Sequence, residues 1–226
     1  MQGNLGYFER LVPQTTSIAH KQSAPATANA AFIAPNSSIV GNATVAESAS
    51  VWYGCNIRGD AHPVKIGEGS VIGDRATIAG ANIGADVLVG PNATIRGAVV
   101  GDGAVIGANT IVGAGVKIGA RAIVEAGSVV PEGTTVEAGQ VYAGNPAASV
   151  RAATEAESAA AKDVLSEQVE LARTYQFEAD KTDGDLYDEE EEKHFQQNLE
   201  SDHWADQNYD RIPSRRGNLF NRRNVA

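Results

Sequence analysis

The chain has 226 residues and a formal net charge of −10, with 28 acidic against 18 basic side chains, a balance that argues against nucleic-acid binding. One cysteine forbids an internal disulfide and offers no zinc-ribbon or iron–sulfur framework, as is ordinary in a reducing compartment. No apolar run approaches eighteen residues, so no transmembrane helix is encoded, and 24 glycines with only 6% aromatics point to a thin, regular core. Residues 1–30 read as a lead-in. Leu5 to Val12 carries a small apolar stripe that Pro13 ends, and Gln14 to Ala30 is rich in Ser, Thr and Ala. The lead-in lacks the Arg-rich, acid-poor signature of a transit peptide, so any targeting sequence is expected to be weak or already removed.

An internal repeat occupies residues 31–152. Branched aliphatics recur every sixth residue at Ile33, Ile39, Val45, Val51 and Ile57. The frame slips and resumes at Ile66, Ile72 and Ile78, slips to Ile83, Val89 and Ile95, and from Val100 runs unbroken to Tyr142. Four positions after the aliphatic comes a small residue, as at Ser37, Cys55, Ala61, Ala93 and Thr134. Three positions after it comes a residue tolerant of the left-handed conformation, as at Asn36, Asn42, Gly54, Asp60, Asp86, Asn92, Asn109 and Asn145. A period of six suits neither an amphipathic helix nor a hairpin sheet. It suits a three-sided prism with a short strand on each face and a tight corner between faces, coils stacking about 4.8 Å apart. The class is an all-β solenoid, a parallel β-helix whose handedness the period leaves open.

Residues 153–180 then switch to helical spacing. Thr154 and Glu157 form a capping box, and the stripe Ala161, Val164, Leu165, Gln168, Leu171, Ala172 and Tyr175 predicts a helix from Glu155 to about Phe177, one face lying along the prism. Residues 181–226 form a charged tail, acidic from Asp183 to Glu192 and basic from Arg211 to Arg223. Such a segment is expected to be extended, mobile alone and ordered on a partner. Its Trp204, Tyr209 and Phe220 are candidate partner contacts.

The run Val51-Trp52-Tyr53-Gly54-Cys55-Asn56-Ile57-Arg58-Gly59-Asp60, followed by Ile66-Gly67, resembles the first-coil signature of the γ-class carbonic anhydrases, especially those of mitochondrial complex I. Tyr142-Ala143-Gly144-Asn145-Pro146-Ala147 with Val150-Arg151 is similar to the family's exit from its last coil. The resemblance covers about Phe32 to Tyr175. It implies a left-handed β-helix, assembled as a trimer, with zinc held by three histidines shared across each interface. In register, those histidine positions hold Ala79, Pro91 and Arg96 here, none able to ligate zinc. The family's glutamine before Asp74 is replaced by Gly73, and the loop that carries a proton-shuttling glutamate in some members is missing between Ile78 and Ile83.

Composition agrees. Of the four histidines, His20, His194 and His203 lie outside the prism and only His62 within it, where a solvated side chain is the simplest reading. Cys55 occupies a small-residue corner and reads as a buried structural thiol rather than a nucleophile. Arg58, Asp60 and Asp74 resemble family residues at the trimer interface. The acidic run Asp188 to Glu192 lacks EF-hand spacing and reads as a solvated face.

The resemblance therefore implies a non-catalytic structural subunit with no cofactor. It implies a heterotrimer with other γ-carbonic-anhydrase-like chains, peripheral to the membrane arm of complex I on the matrix side of the mitochondrial inner membrane. The competing readings are an active zinc γ-carbonic anhydrase with displaced ligands and a hexapeptide-repeat acyltransferase, for which only His62 could be the base.

Overall fold

The computed structural model describes residues 16–179. They form a parallel β-solenoid of about seven turns with one C-terminal helix.

The first face stacks Phe32–Ile33, Ser50–Val51, Val71–Ile72, Leu88–Val89, Val105–Ile106, Ile123–Val124 and Gln140–Gly144, each parallel to the next. The strands Ser38–Val45 and Asn56–Ile66 each run along two faces. The second face continues from them with Thr77–Ala79, Thr94–Arg96, Ile111–Val112 and Val129–Val130. The third continues with Asn82–Ile83, Val99–Val100, Lys117–Ile118 and Thr135–Val136.

In nearly every two-residue strand the second residue points inward. The sixfold aliphatics from Ile39 to Val136 are all buried and form one continuous core. Ile33 and Tyr142, at the two ends of the series, are only partly buried, because neither has a full coil beyond it.

The corners depart from the sequence expectation in particular places. Positive φ occurs at the anticipated Gly54, Asp86, Asn92 and Asn109, but Asn36, Asn42, Asp60 and Asn145 do not adopt it. Asp60 lies inside the strand Asn56–Ile66, where an extended backbone needs no left-handed residue, and Ala61 is exposed rather than filling a corner. Ser48, Arg75 and Arg121 take left-handed backbones instead, at φ of 58°, 57° and 55°. The stack imposes that conformation: the Arg75 N–H donates to the Tyr53 carbonyl of the coil before (2.8 Å), and its Nε donates to Asn92 Oδ1 of the coil after (2.9 Å). Those bonds offset the roughly 1–2 kcal/mol cost of αL for a residue with a Cβ.

The parallel ladder reaches further back than the period does. Ser17–Ile18 pairs with Ile39 and Val40 on the second face, and Ala26 bridges to Thr44 on the third. The lead-in thus covers the first repeat without carrying its aliphatic pattern. At the other end Gln140–Gly144 turns back on Ala147–Ala152 as an antiparallel pair.

Helix α1 spans Glu155–Ala179. Its start is the anticipated capping box: Thr154 N–H donates to Glu157 Oε2 (2.9 Å), and Glu157 N–H donates to Thr154 Oγ1 (3.3 Å). Arg151 adds a two-pronged ion pair to the same carboxylate, at 2.6 and 2.8 Å. The helix buries Leu165 and Ala172, with Val169 beside them, against Phe32, Trp52, Val71 and Leu88 on the outside of the first face. Val164 and Leu171, expected in the contact stripe, stay about 40% exposed, so the buried face is rotated toward Leu165, Val169 and Ala172. At the end of the helix Tyr175 closes a four-ring cluster with Phe32, Trp52 and Tyr53.

Candidate functional site

The three slips in the sixfold frame, Ile57 to Ile66, Ile78 to Ile83 and Ile95 to Val100, all fall at the corner between the second and third faces. Two are deletions, and there Gly80 and Gly97 make the shortened turn at φ of 57° and 53°. The third is an insertion, Ala61 to Pro63, carried within the strand Asn56–Ile66. A corner that breaks the repeat in three successive coils is the least regular place in the solenoid, and Arg58, Asp60, His62 and Arg96 lie along it.

Register places Arg58, Ala79 and Arg96 at one position on three neighbouring rungs, Arg58 beside Ala79 and Ala79 beside Arg96. His62, from the insertion, lies over Gly80: a Cβ built on Gly80 would come within 2.9 Å of the His62 Cβ. Arg58 Nη2 donates to Asp60 Oδ2 at 2.6 Å. The hydrogen bond from Arg58, reinforced by the Ala61 N–H, lowers the Asp60 carboxyl below the ordinary aspartate value. Lys65 projects nearby from the start of the third face.

Asp74 is not part of this group. It lies at the corner between the first and second faces, where its Oδ1 accepts from the Tyr53 N–H at 3.1 Å. Pro91 sits at that same corner, between Leu88–Val89 and Thr94–Arg96. Within one chain the structure therefore brings Ala79 and Arg96 side by side and leaves Pro91 at the far edge of the second face. Cys55 is buried near Asp74, its thiol donating to the Gly73 carbonyl (3.1 Å). Burial pushes its pKa up to about 11, which leaves it a poor nucleophile at neutral pH. His20 lies in the lead-in. Trp204, Tyr209, Phe220, His194, His203 and the run Asp188 to Glu192 lie outside the described residues.

Zinc does not fit the three positions the resemblance assigns to it. A methyl group at Ala79 and the ring of Pro91 offer no lone pair, and the Arg96 guanidinium stays protonated. Among the described residues no three His, Cys, Asp or Glu side chains converge. Gly73 has its own steric reason: a Cβ there would lie 2.8 Å from the Val89 carbonyl oxygen and 2.9 Å from the Pro91 nitrogen, so a longer side chain would displace the next coil's backbone.

Three features are missing from the sequence reading. The Arg75–Asn92–Asn109 ladder along the other corner is one: Asn92 Nδ2 donates to Asn109 Oδ1 at 3.2 Å. The second is the partner of Trp52 and Tyr53, which is Tyr175 on α1. The third is the coincidence of the three slips at one corner. Only that one carried a signal, since counting hexapeptides in threes along the chain assigns each slip to the same corner.

Fold and repeat together define the class of protein, a hexapeptide-repeat β-solenoid, and the bacterial transferase hexapeptide model (six repeats) matches residues 63–97 and 97–132. A stretch of 78 residues is similar to γ carbonic anhydrases. It is 36% identical to γ carbonic anhydrase 3, mitochondrial, and 33% identical to γ carbonic anhydrase 1, mitochondrial, both of Arabidopsis thaliana. The matched stretch is 34% of this chain and 30% and 28% of those proteins, so the chain spans about a third of the length of the curated relatives it matches. A solved hexapeptide transferase family protein from Anaplasma phagocytophilum superposes with a TM-score of 0.68 at 29% identity, covering 71% of this chain and 98% of that one. Among the described residues no helix is long and apolar enough to cross a membrane.

Proposed function

We propose that the chain is a non-catalytic, structural γ-carbonic-anhydrase-like subunit of a trimer, most simply a heterotrimer with related chains. In that role it contributes to assembly or stability on the matrix side of the mitochondrial complex I membrane arm. The observation that carries the reading is chemical. The signature from Val51 to Asp60 is kept and is structurally employed, in the aromatic cluster and the Arg58–Asp60 pair, while the adjoining Ala79, Pro91 and Arg96 supply no metal donor. Similarity to relatives named as mitochondrial supports the mitochondrial part of this reading.

In such a trimer Arg58, Asp60 and Asp74 face neighbouring subunits. The two edges of the second face, one with Arg58 and Asp60 and the other with Asp74 and Pro91, suit an arrangement in which one subunit's edge meets the other edge of its neighbour. A subunit of this kind spoils both zinc sites it borders and leaves the third, between two other chains, able to hold metal. Trp204, Tyr209 and Phe220 are then anchors on complex I membrane-arm subunits. Truncation after Lys181 tests this last role: reduced incorporation into the larger assembly is expected, and unchanged incorporation would refute the docking role.

Similarity to a hexapeptide transferase family protein favours one alternative, acyl transfer. Among the described residues His62 is the only histidine at the irregular corner, and so the only histidine base available there. An acyl-transfer assay of His62→Ala against the unaltered chain separates the two readings: a structural subunit shows no His62-dependent transfer.

A further inference from the structure

At the end where the chain enters it, the solenoid is covered on two faces and open on the first. Ser17–Ile18 lies over Ile39 and Val40 on the second face, and Ala26 bridges to Thr44 on the third. On the first face, among the described residues, Phe32–Ile33 is the terminal strand and pairs only with Ser50–Val51. Ile33 takes the inward position over the fully buried Val51, yet is itself only partly buried. A cavity of about 440 Å³ opens above it, lined by Ile33 and Ala30, by Thr16 and Ser17, and by Gln176 of α1.

The described chain begins at this cavity. Thr16 is its first residue, and its place is fixed: its carbonyl accepts from the Ile39 N–H (2.8 Å) and its Oγ1 donates to the Pro35 carbonyl (3.2 Å). A solenoid strand on the second face is entered from the first, so the residues before Thr16 approach from the open side. Their sequence repeats the coil below. Leu11-Val12-Pro13-Gln14-Thr15-Thr16-Ser17 follows Ile33-Ala34-Pro35-Asn36-Ser37-Ser38-Ile39, leucine for isoleucine, proline for proline, glutamine for asparagine and two threonines for two serines. Ser17 alone breaks the match. The observed register of Ser17 over Ile39 is the one that sets Leu11 over Ile33.

We propose that Arg10–Val12 completes the first face, with Leu11 pointing inward over Ile33 and filling the cavity, so that this segment is the solenoid's own end cap. The Ile33 N–H then donates to the Arg10 carbonyl, as the Ile39 N–H does to that of Thr16. An uncovered last rung leaves core side chains and a strand edge open, which repeat folds close with a terminal cap. A second copy stacked end to end would cover the same edge. The cap within the chain is favoured by the matching sequence and by reach, since Val12 lies at most about 14 Å along the chain from Thr16.

Hydrogen exchange of the full chain, followed by NMR at the Ile33 amide, tests this. Leu11→Asp should speed exchange at Ile33 by about tenfold or more, and the milder Leu11→Ala by about threefold, while Val124, deep in the same face, changes less than about twofold. Leu5→Asp, outside the matching stretch, should leave the Ile33 rate within about twofold of the unaltered chain. Equal Ile33 exchange in the unaltered chain and both Leu11 variants would overturn the proposal. So would Ile33 protection that rises with protein concentration and survives Leu11→Asp, the sign of a second copy over the end.

Discussion

Trp52 and Tyr175 meet edge to face, ring centroids 5.4 Å apart and planes at 68°, although 123 positions separate them in the chain. The contact ties the last turns of α1 to the second strand of the first face, and Phe32 and Tyr53 complete the cluster. A signature residue of the solenoid thereby anchors the helix at its C-terminal end. Edge-to-face pairs contribute about 0.5–1.5 kcal/mol beyond the area they bury. Tyr175→Ala is expected to cost about 1–3 kcal/mol and to free the end of the helix first, whereas Tyr175→Phe keeps the ring and should cost under about 0.5 kcal/mol. Urea denaturation read by circular dichroism checks both.

The inward and outward positions of a single rung should differ sharply. Ile118 is 3% exposed and its neighbour Lys117 is exposed. Ile118→Ala should cost roughly 2–5 kcal/mol through lost burial and a residual cavity, and Lys117→Ala under about 0.5 kcal/mol. Comparable losses in chemical denaturation would contradict the assignment of faces.

Ser50 presents the opposite case. Its hydroxyl is buried without a hydrogen-bond partner, in the outward row between Phe32 and Val71 that α1 covers. Ser50→Ala removes an unsatisfied polar group at little change in volume, and should leave stability unchanged or raise it by up to about 1 kcal/mol. A thermal melt that falls by several degrees would indicate a partner for the hydroxyl.

The helix cap gives a pH dependence with a defined sign. Hydrogen bonds from Arg151 first, then from the Thr154 N–H and hydroxyl, hold the Glu157 carboxyl far below the ordinary glutamate range. A depressed folded-state pKa means that the unfolded chain binds the proton more readily. The stabilisation is therefore complete above the ordinary glutamate value of about 4.3 and is lost as pH falls below it toward the folded value. The stability difference between the unaltered chain and Glu157→Gln should be constant from pH 6 to 8 and shrink steadily below pH of about 4. Thr154→Ala, which removes the other half of the box, should cost about 1 kcal/mol at neutral pH.

Cys55 should resist alkylation in the folded chain. Its thiol is buried, hydrogen-bonded to Gly73 and ionises only near pH 11. Mass spectrometry after iodoacetamide treatment at pH 8 should find it unmodified until denaturant is added, and rapid labelling of the native protein would contradict the buried assignment.

The solenoid was legible because each coil repeats one demand on the sequence, an inward aliphatic every sixth residue outside three slips at one corner, and every such aliphatic from Ile39 to Val136 is buried in the core. The capping box at Thr154 and Glu157 was legible for a similar reason, since both partners lie within one turn. Long-range relationships were not. Nothing near Tyr175 in sequence points to Trp52, and Ser17–Ile18 joins the ladder through backbone hydrogen bonds that leave no side-chain pattern. The corners were half legible: Asn and Gly often mark a left-handed turn, yet stacking imposed it on Arg75 and Arg121 and spared Asn36 and Asp60. At the candidate site the sequence named Arg58, Asp60, Ala79 and Arg96, but their placement on shared rungs needed the register, which also set Asp74 and Pro91 on the opposite edge.

The most direct test of the structural-subunit role is native mass spectrometry of the affinity-purified assembly, with zinc counted in the same spectra. A trimer containing this chain together with related chains is expected, with no zinc at either interface the chain borders. A homotrimer of this chain carrying about one zinc per interface would contradict that role.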